Sequence, residues 1–249
     1  MKETKRVGLL DEIRGFAIIC MVIYHVLYSM NEFFDVNVPV FFDSWFGHVR
    51  DLFAGTFIFI SGCVCRFSRN NLKRGVLCFF LGMLITYIVT FAQPGVIIHF
   101  GILHLLGLSM VIYALAEPFF DFVPPLPGII IFGFLFFATF NLRNGYLGFE
   151  NIYSIALPDK LYEPGILFPF GFIAPRTGYS DYFPLLPWFC VFAAGCFFGV
   201  YAKENRLPRY FYRTRVRFLA VTGRYTIWIY LLHQPVAMAV LNLIYRDNT

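Results

Sequence analysis

The sequence predicts an all-α polytopic membrane bundle of about seven transmembrane helices with a cytoplasmic N-terminus. Three observations predict it: the composition, the run of apolar segments, and the alternation of basic with acidic loops. Of the 249 residues, 59% are hydrophobic and 20% aromatic, while only 14% are charged. Soluble domains carry roughly 25% charged residues. The net charge of +5 sits in a few short loops rather than on one face. That is the pattern of the positive-inside rule, so the basic surplus points to a lipid bilayer and not to nucleic acid.

Seven segments are apolar over a membrane-spanning length: Gly8–Met30, Asp51–Phe67, Gly75–Phe91, Val96–Ala116, Leu126–Phe140, Pro184–Tyr201 and Phe218–Tyr245. The first follows a charged start but carries Asp11, Glu12 and Arg14 and lacks a small-residue cleavage site, so it reads as a retained helix. The second contains Gly55, Ser61 and Gly62, small residues that let helices approach closely. The fifth is the shortest. Basic residues then set the orientation. Lys2, Lys5 and Arg6 precede the first span, Arg66, Arg69, Lys73 and Arg74 follow the second, and six basic residues crowd the stretch before the seventh. The segment Asn31–Arg50 between the first two spans bears Glu32, Asp35 and Asp43 instead. The N-terminus is therefore expected inside, in an integral multi-pass membrane protein. The loop EPFFDFVPPLP is acidic yet falls inside, but acids weigh little in this rule. One domain over residues 1–249 is expected, with the external loop 141–183, rich in Gly, Pro and aromatics, as a lid. The six cysteines lie in apolar segments without metal spacing and read as buried thiols, and no metal is expected.

The polar residues inside the spans carry the functional reading. At 100° per residue, Asp11, Arg14, Ile18 and His25 share one face of the first helix. Ionisable groups in a membrane are costly and mark functional interiors. His25 lies 11 residues beyond Arg14, about 16 Å further along the helix. The fourth span places His99 near the outer boundary and His104 near the midplane. The seventh holds His233 and Gln234 in its middle to outer part, followed by Pro235, which weakens the helix there. His25, His104 and His233 therefore reach similar depths from three helices. Histidine accepts and returns protons near neutral pH, which suits acid–base chemistry.

The blocks LLDEIRGFAIICMVIYH, FAGTFIFISG, FGILHLLG, DYFPLLPWF and GRYTIWIYLLHQP resemble, in this order, the catalytic domain of heparan-α-glucosaminide N-acetyltransferase and its small bacterial relatives. The first two are also similar to the wider membrane acyltransferase superfamily. The resemblance implies transfer of an acetyl group from cytoplasmic acetyl-CoA to an acceptor across the membrane, a glucosamine amine in the lysosomal enzyme. That enzyme has an asparagine where His25 stands and a glutamine near His104, and its proposed catalytic histidine lies in the first external loop, where this chain offers His48. The site expected from the residues and the resemblance together has His25 as general base or acyl carrier, with His104, His233, Asp11 and Arg14 in support. Arg14, Arg66, Arg69 and Arg74 would hold acetyl-CoA, and Asp181, Tyr182, Trp188 and Gln234 a carbohydrate or similar acceptor. Two other classes remain open: a transporter or flippase for an acylated or sugar-linked substrate, and a non-catalytic partner in an envelope complex. Close-packing glycines on several spans make a homodimer conceivable.

Overall fold

The computed structural model describes residues 6–92, 98, 100–149, 152–173 and 181–245. His99, Lys2 and Lys5 therefore lie outside the described residues. The elements run α1 (Gly8–Phe33), α2 (Ser44–Cys65), α3 (Asn71–Ala92), α4 (Ile102–Leu115), α5 (Glu117–Phe122), α6 (Pro125–Thr139), β1 (Tyr146–Phe149), β2 (Tyr153–Ala156), α7 (Leu185–Lys203), α8 (Arg217–Arg224) and α9 (Thr226–Ile244). Six helical segments are long and apolar enough to cross a membrane, and α4 is a shorter apolar helix. The all-α polytopic bundle is thus observed. The chain divides into two compact units, Met1–Ile60 with Asn205–Thr249, and Ser61–Glu204.

Three boundaries differ from expectation for physical reasons. The second span begins at Ser44, seven residues early, because the amphipathic stretch SWFGHVR continues the helix below the hydropathy threshold. The fourth is a helix only from Ile102, where Gly101 in an extended conformation caps it. The seventh is two helices, since the chain leaves helical geometry at Tyr225 (φ −101°, ψ 16°) and α9 starts at Thr226.

In the first unit, α1 packs against α8 and α9. The α1–α8 contact is backbone to backbone. A Cβ on Gly15 would strike the Leu219 carbonyl and come within 2.9 Å of the Gly223 nitrogen. A Cβ on Gly223 would strike the Asp11 carbonyl in turn. No residue larger than glycine fits either position without moving a helix.

In the second unit, α3 packs on α4, α6 on α7, and α4 on α7. Glycines again set the spacing: a Cβ on Gly75 would lie 2.9 Å from the Val111 nitrogen, and one on Gly107 would strike the Phe79 backbone. The last turns of α2 lie along α7, where a Cβ on Gly199 would meet the Cys63 carbonyl at 2.6 Å. The described residues of loop 141–183 include a two-stranded hairpin. It pairs Tyr146 with Ala156 and Phe149 with Tyr153 in antiparallel register. The Tyr162 hydroxyl donates to the Leu142 carbonyl at 2.5 Å, and Tyr182 does the same to Phe168. Partial burial, and to a lesser degree the Asp159 carboxylate, raise the Tyr162 phenol above its ordinary value, so this donor stays protonated.

Candidate active site

The first unit brings two histidines together. His25 on α1 and His233 on α9 have ring centroids 5.0 Å apart at an interplanar angle of 57°. One helical turn beyond His25 on the same face, buried Ser29 accepts a 2.9 Å hydrogen bond from Gln234 Nε2, so the same two helices are joined by a second polar contact. His233 Nδ1 lies 2.6 Å from the Tyr230 carbonyl oxygen. A carbonyl only accepts, so Nδ1 carries the proton and Nε2 presents a lone pair. That Nε2 and Gln234 Oε1 are buried and have no hydrogen-bond partner among the described residues. Pro235, next in sequence, lies inside α9 without ending it. On the other side of His25, Tyr24 meets the imidazole edge-on at 5.6 Å and stacks on Phe46, and the Arg50 guanidinium lies 6.0 Å above the Tyr24 ring. His48 is exposed in the first turns of α2.

His104 belongs to the second unit and is held differently. It is 2% exposed and occupies the third residue of α4, where its Nδ1 accepts a 3.2 Å hydrogen bond from the Gly101 N–H. The neutral ring's proton is then on Nε2, which is buried and without a partner among the described residues. The ring stacks on Phe100 at 5.6 Å and takes Phe79 edge-on at 5.4 Å. Its third wall is Gly82 of α3, where a Cβ would lie 3.1 Å from Nδ1.

The long loop reaches this histidine. Phe168 contacts Phe100 at 6.4 Å, Tyr182 bridges to Phe100, and the Phe183 N–H donates to the Phe100 carbonyl at 2.8 Å. The Asp181 carboxylate lies against Gly101, beside the N-terminus of α4, where a negative charge complements the helix dipole. Asp181 and Tyr182 thus adjoin Gly101 and Phe100, the two residues that contact the His104 ring from immediately before α4. Trp188 does not share this edge in the same way: it is buried between Phe136 and Phe183, at 5.7 and 5.3 Å, as a packing residue.

The charged end of α1 has partners in the same unit. Asp11 accepts from Arg6 at 2.7 Å and from Arg14 at 2.9 Å, and Arg14 also donates to the Gly223 carbonyl at 2.7 Å. Glu12 accepts from the backbone N–H groups of Arg215 and, at 2.9 Å, Val216, capping α8. The block D-E-I-R-G docks α8. Among the cations expected to hold acetyl-CoA, Arg66 is 7% exposed and bonded to Asp121, the Phe120 carbonyl (2.9 Å) and the Cys196 carbonyl (3.0 Å), with Tyr113 at 5.4 Å beneath its guanidinium. Arg69 and Arg74 are exposed and have no ion-pair partner among the described residues, so they can meet a phosphate. Among the described residues no three His, Cys, Asp or Glu side chains are grouped to hold a metal ion.

Sequence reasoning missed Ser29, Gly82 and the Tyr230 carbonyl. Ser29 was findable, since it stands four residues after His25. Gly82 and Tyr230 gave no signal, because one acts by lacking a side chain and the other through its backbone.

A family model described as heparan-alpha-glucosaminide N-acetyltransferase, catalytic, matches residues 6–235. The chain belongs to this family. No curated protein and no solved structure gives a significant match. The heparan-alpha-glucosaminide N-acetyltransferase match runs from Arg6, the first cation on Asp11, to Pro235, one residue past Gln234, and takes in His25, His104 and His233. Membership and the six apolar helices make the protein a multi-pass membrane protein of an acetyltransferase family.

Proposed function

We propose that this protein transfers an acetyl group from acetyl-CoA on the cytoplasmic side of a bacterial plasma membrane to an amine or hydroxyl of a carbohydrate-like acceptor on the outer side. The His25–His233 pair carries the reading: two imidazoles 5.0 Å apart inside a membrane bundle, one presenting a buried lone pair. In direct transfer the acceptor nitrogen or oxygen attacks the thioester carbonyl carbon. The new C–N or C–O bond forms as the C–S bond breaks. The acceptor proton goes to His25, which shares it with His233 Nε2, and the CoA thiolate leaves and takes up a proton. Two imidazolium ions at this distance repel, so the pair holds at most one proton beyond its neutral state, and that proton passes to the departing thiolate.

Arg69 and Arg74 bind the CoA phosphates, as paired guanidiniums do well. Asp11 and Arg14 serve as positioning residues through α8, and Arg66 through α5 and α7. In the second unit, His104 Nε2–H, Asp181 and Tyr182 bind the acceptor, the last two supplied by loop 141–183, which serves as the lid. Purified protein in liposomes tests the reading. Acetyl-CoA cleavage coupled to acceptor acetylation should fall about 10²–10⁴-fold in His25→Ala, the range for a positioned base. Unchanged turnover would sink the assignment of His25. Acceptor movement without CoA release would replace transfer by transport.

A further inference from the structure

We propose that α8 is an in-plane surface helix that binds the phosphate groups of an anionic lipid leaflet. Three sectors divide its circumference at 100° per residue. Leu219, Ala220 and Gly223 form the sector docked on α1. Arg217 and Arg224 lie together on one flank, both exposed and without an ion-pair partner among the described residues. Phe218, Val221 and Tyr225 lie together on the other flank, and Phe218 is 69% exposed.

An exposed basic flank beside an exposed apolar flank fits one environment, the boundary between lipid headgroups and acyl chains. Position supports this. The helix ends at Tyr225 and the next residue opens the membrane span Thr226–Tyr245, so α8 adjoins the bilayer edge. Tyr225 and Trp228, 57% and 61% exposed, are the aromatic residues favoured at that depth. Charge complementarity selects the lipid. Residues 205–225 contain six arginines and no acidic residue. Glu12, the acid nearest the start of α8, is bonded to its backbone. Each basic residue at an anionic surface strengthens association about fivefold.

The test uses the full chain reconstituted in vesicles of phosphatidylcholine with phosphatidylglycerol, extracted in mild detergent, with retained lipids counted by native mass spectrometry. Wild type should retain phosphatidylglycerol in preference to phosphatidylcholine. Arg217→Gln with Arg224→Gln should cut that preference about fivefold per arginine; both side chains are exposed, so the fold survives. Equal retention of the two lipids by wild type would overturn the proposal without reference to any variant. An unchanged preference in the double variant would do the same. So would displacement of the retained lipid by added CoA, which would assign the arginines to a soluble phosphate ligand. None of these outcomes depends on turnover, so this proposal and the acetyl-transfer reading stand or fall separately.

Discussion

His233 and His104 each bury an unpartnered Nε2, yet they are held in opposite tautomers. His233 donates a hydrogen bond from Nδ1–H to the Tyr230 carbonyl and keeps a lone pair on the buried Nε2. His104 accepts a hydrogen bond at Nδ1 from the Gly101 N–H, which leaves its N–H on the buried Nε2. The difference comes from position in a helix. His233 is in the middle of α9, where it finds a carbonyl three residues back. His104 stands at the start of α4, where backbone N–H groups lack helical partners. Backbone ends thus decide which histidine is equipped as a base and which as a donor.

Exchanging each ring for phenylalanine is the strongest way to break that contrast. His233→Phe should lower kcat about 10²-fold, at the lower end for lost acid–base assistance. His104→Phe should instead raise the acceptor KM about tenfold and leave kcat within a few-fold, as the loss of one hydrogen bond in binding would. Equal effects of both variants on kcat would erase the distinction. Gly82→Ala is subtler. Its methyl group would crowd His104 Nδ1 at 3.1 Å, so the acceptor KM should rise several-fold while the effect of His25→Ala stays unchanged. The smallest change concerns the His25–His233 side alone. Gln234→Leu removes the bond to Ser29 and should cost about 1 kcal/mol, read as a fall of a few degrees in Tm.

Apolar length made most of the bundle legible in the sequence, since α1, α3, α6 and α7 lie within a few residues of their expected spans. The same window merged α8 with α9. Phe218, Leu219, Ala220 and Val221 raise the local average, and the nearby Gly223 lies within α8 rather than at the break at Tyr225. Helical depth put His25 and His233 at comparable heights, because rise per residue is fixed. The work of Glu12 and Gly15 was not legible. Their partners are backbone atoms of residues 215–223, and backbone groups leave no mark on a pattern of side chains. The tautomers were hidden for the same reason, being fixed by Gly101 and Tyr230 main-chain groups.

The docking of α1 on α8 also constrains how the protein is made. The Arg14–Gly223 hydrogen bond joins residues 209 positions apart, and the whole of Ser61–Glu204 is translated between them. The first helix enters the membrane early and waits for its partner, with the Asp11 charge already matched locally by Arg6 and Arg14. A ribosome halted at Glu204 leaves the intervening unit with all of its chain and the outer unit with none of α8 or α9. Assembly of the histidine pair therefore waits until α9 has been made, after the whole of Ser61–Glu204.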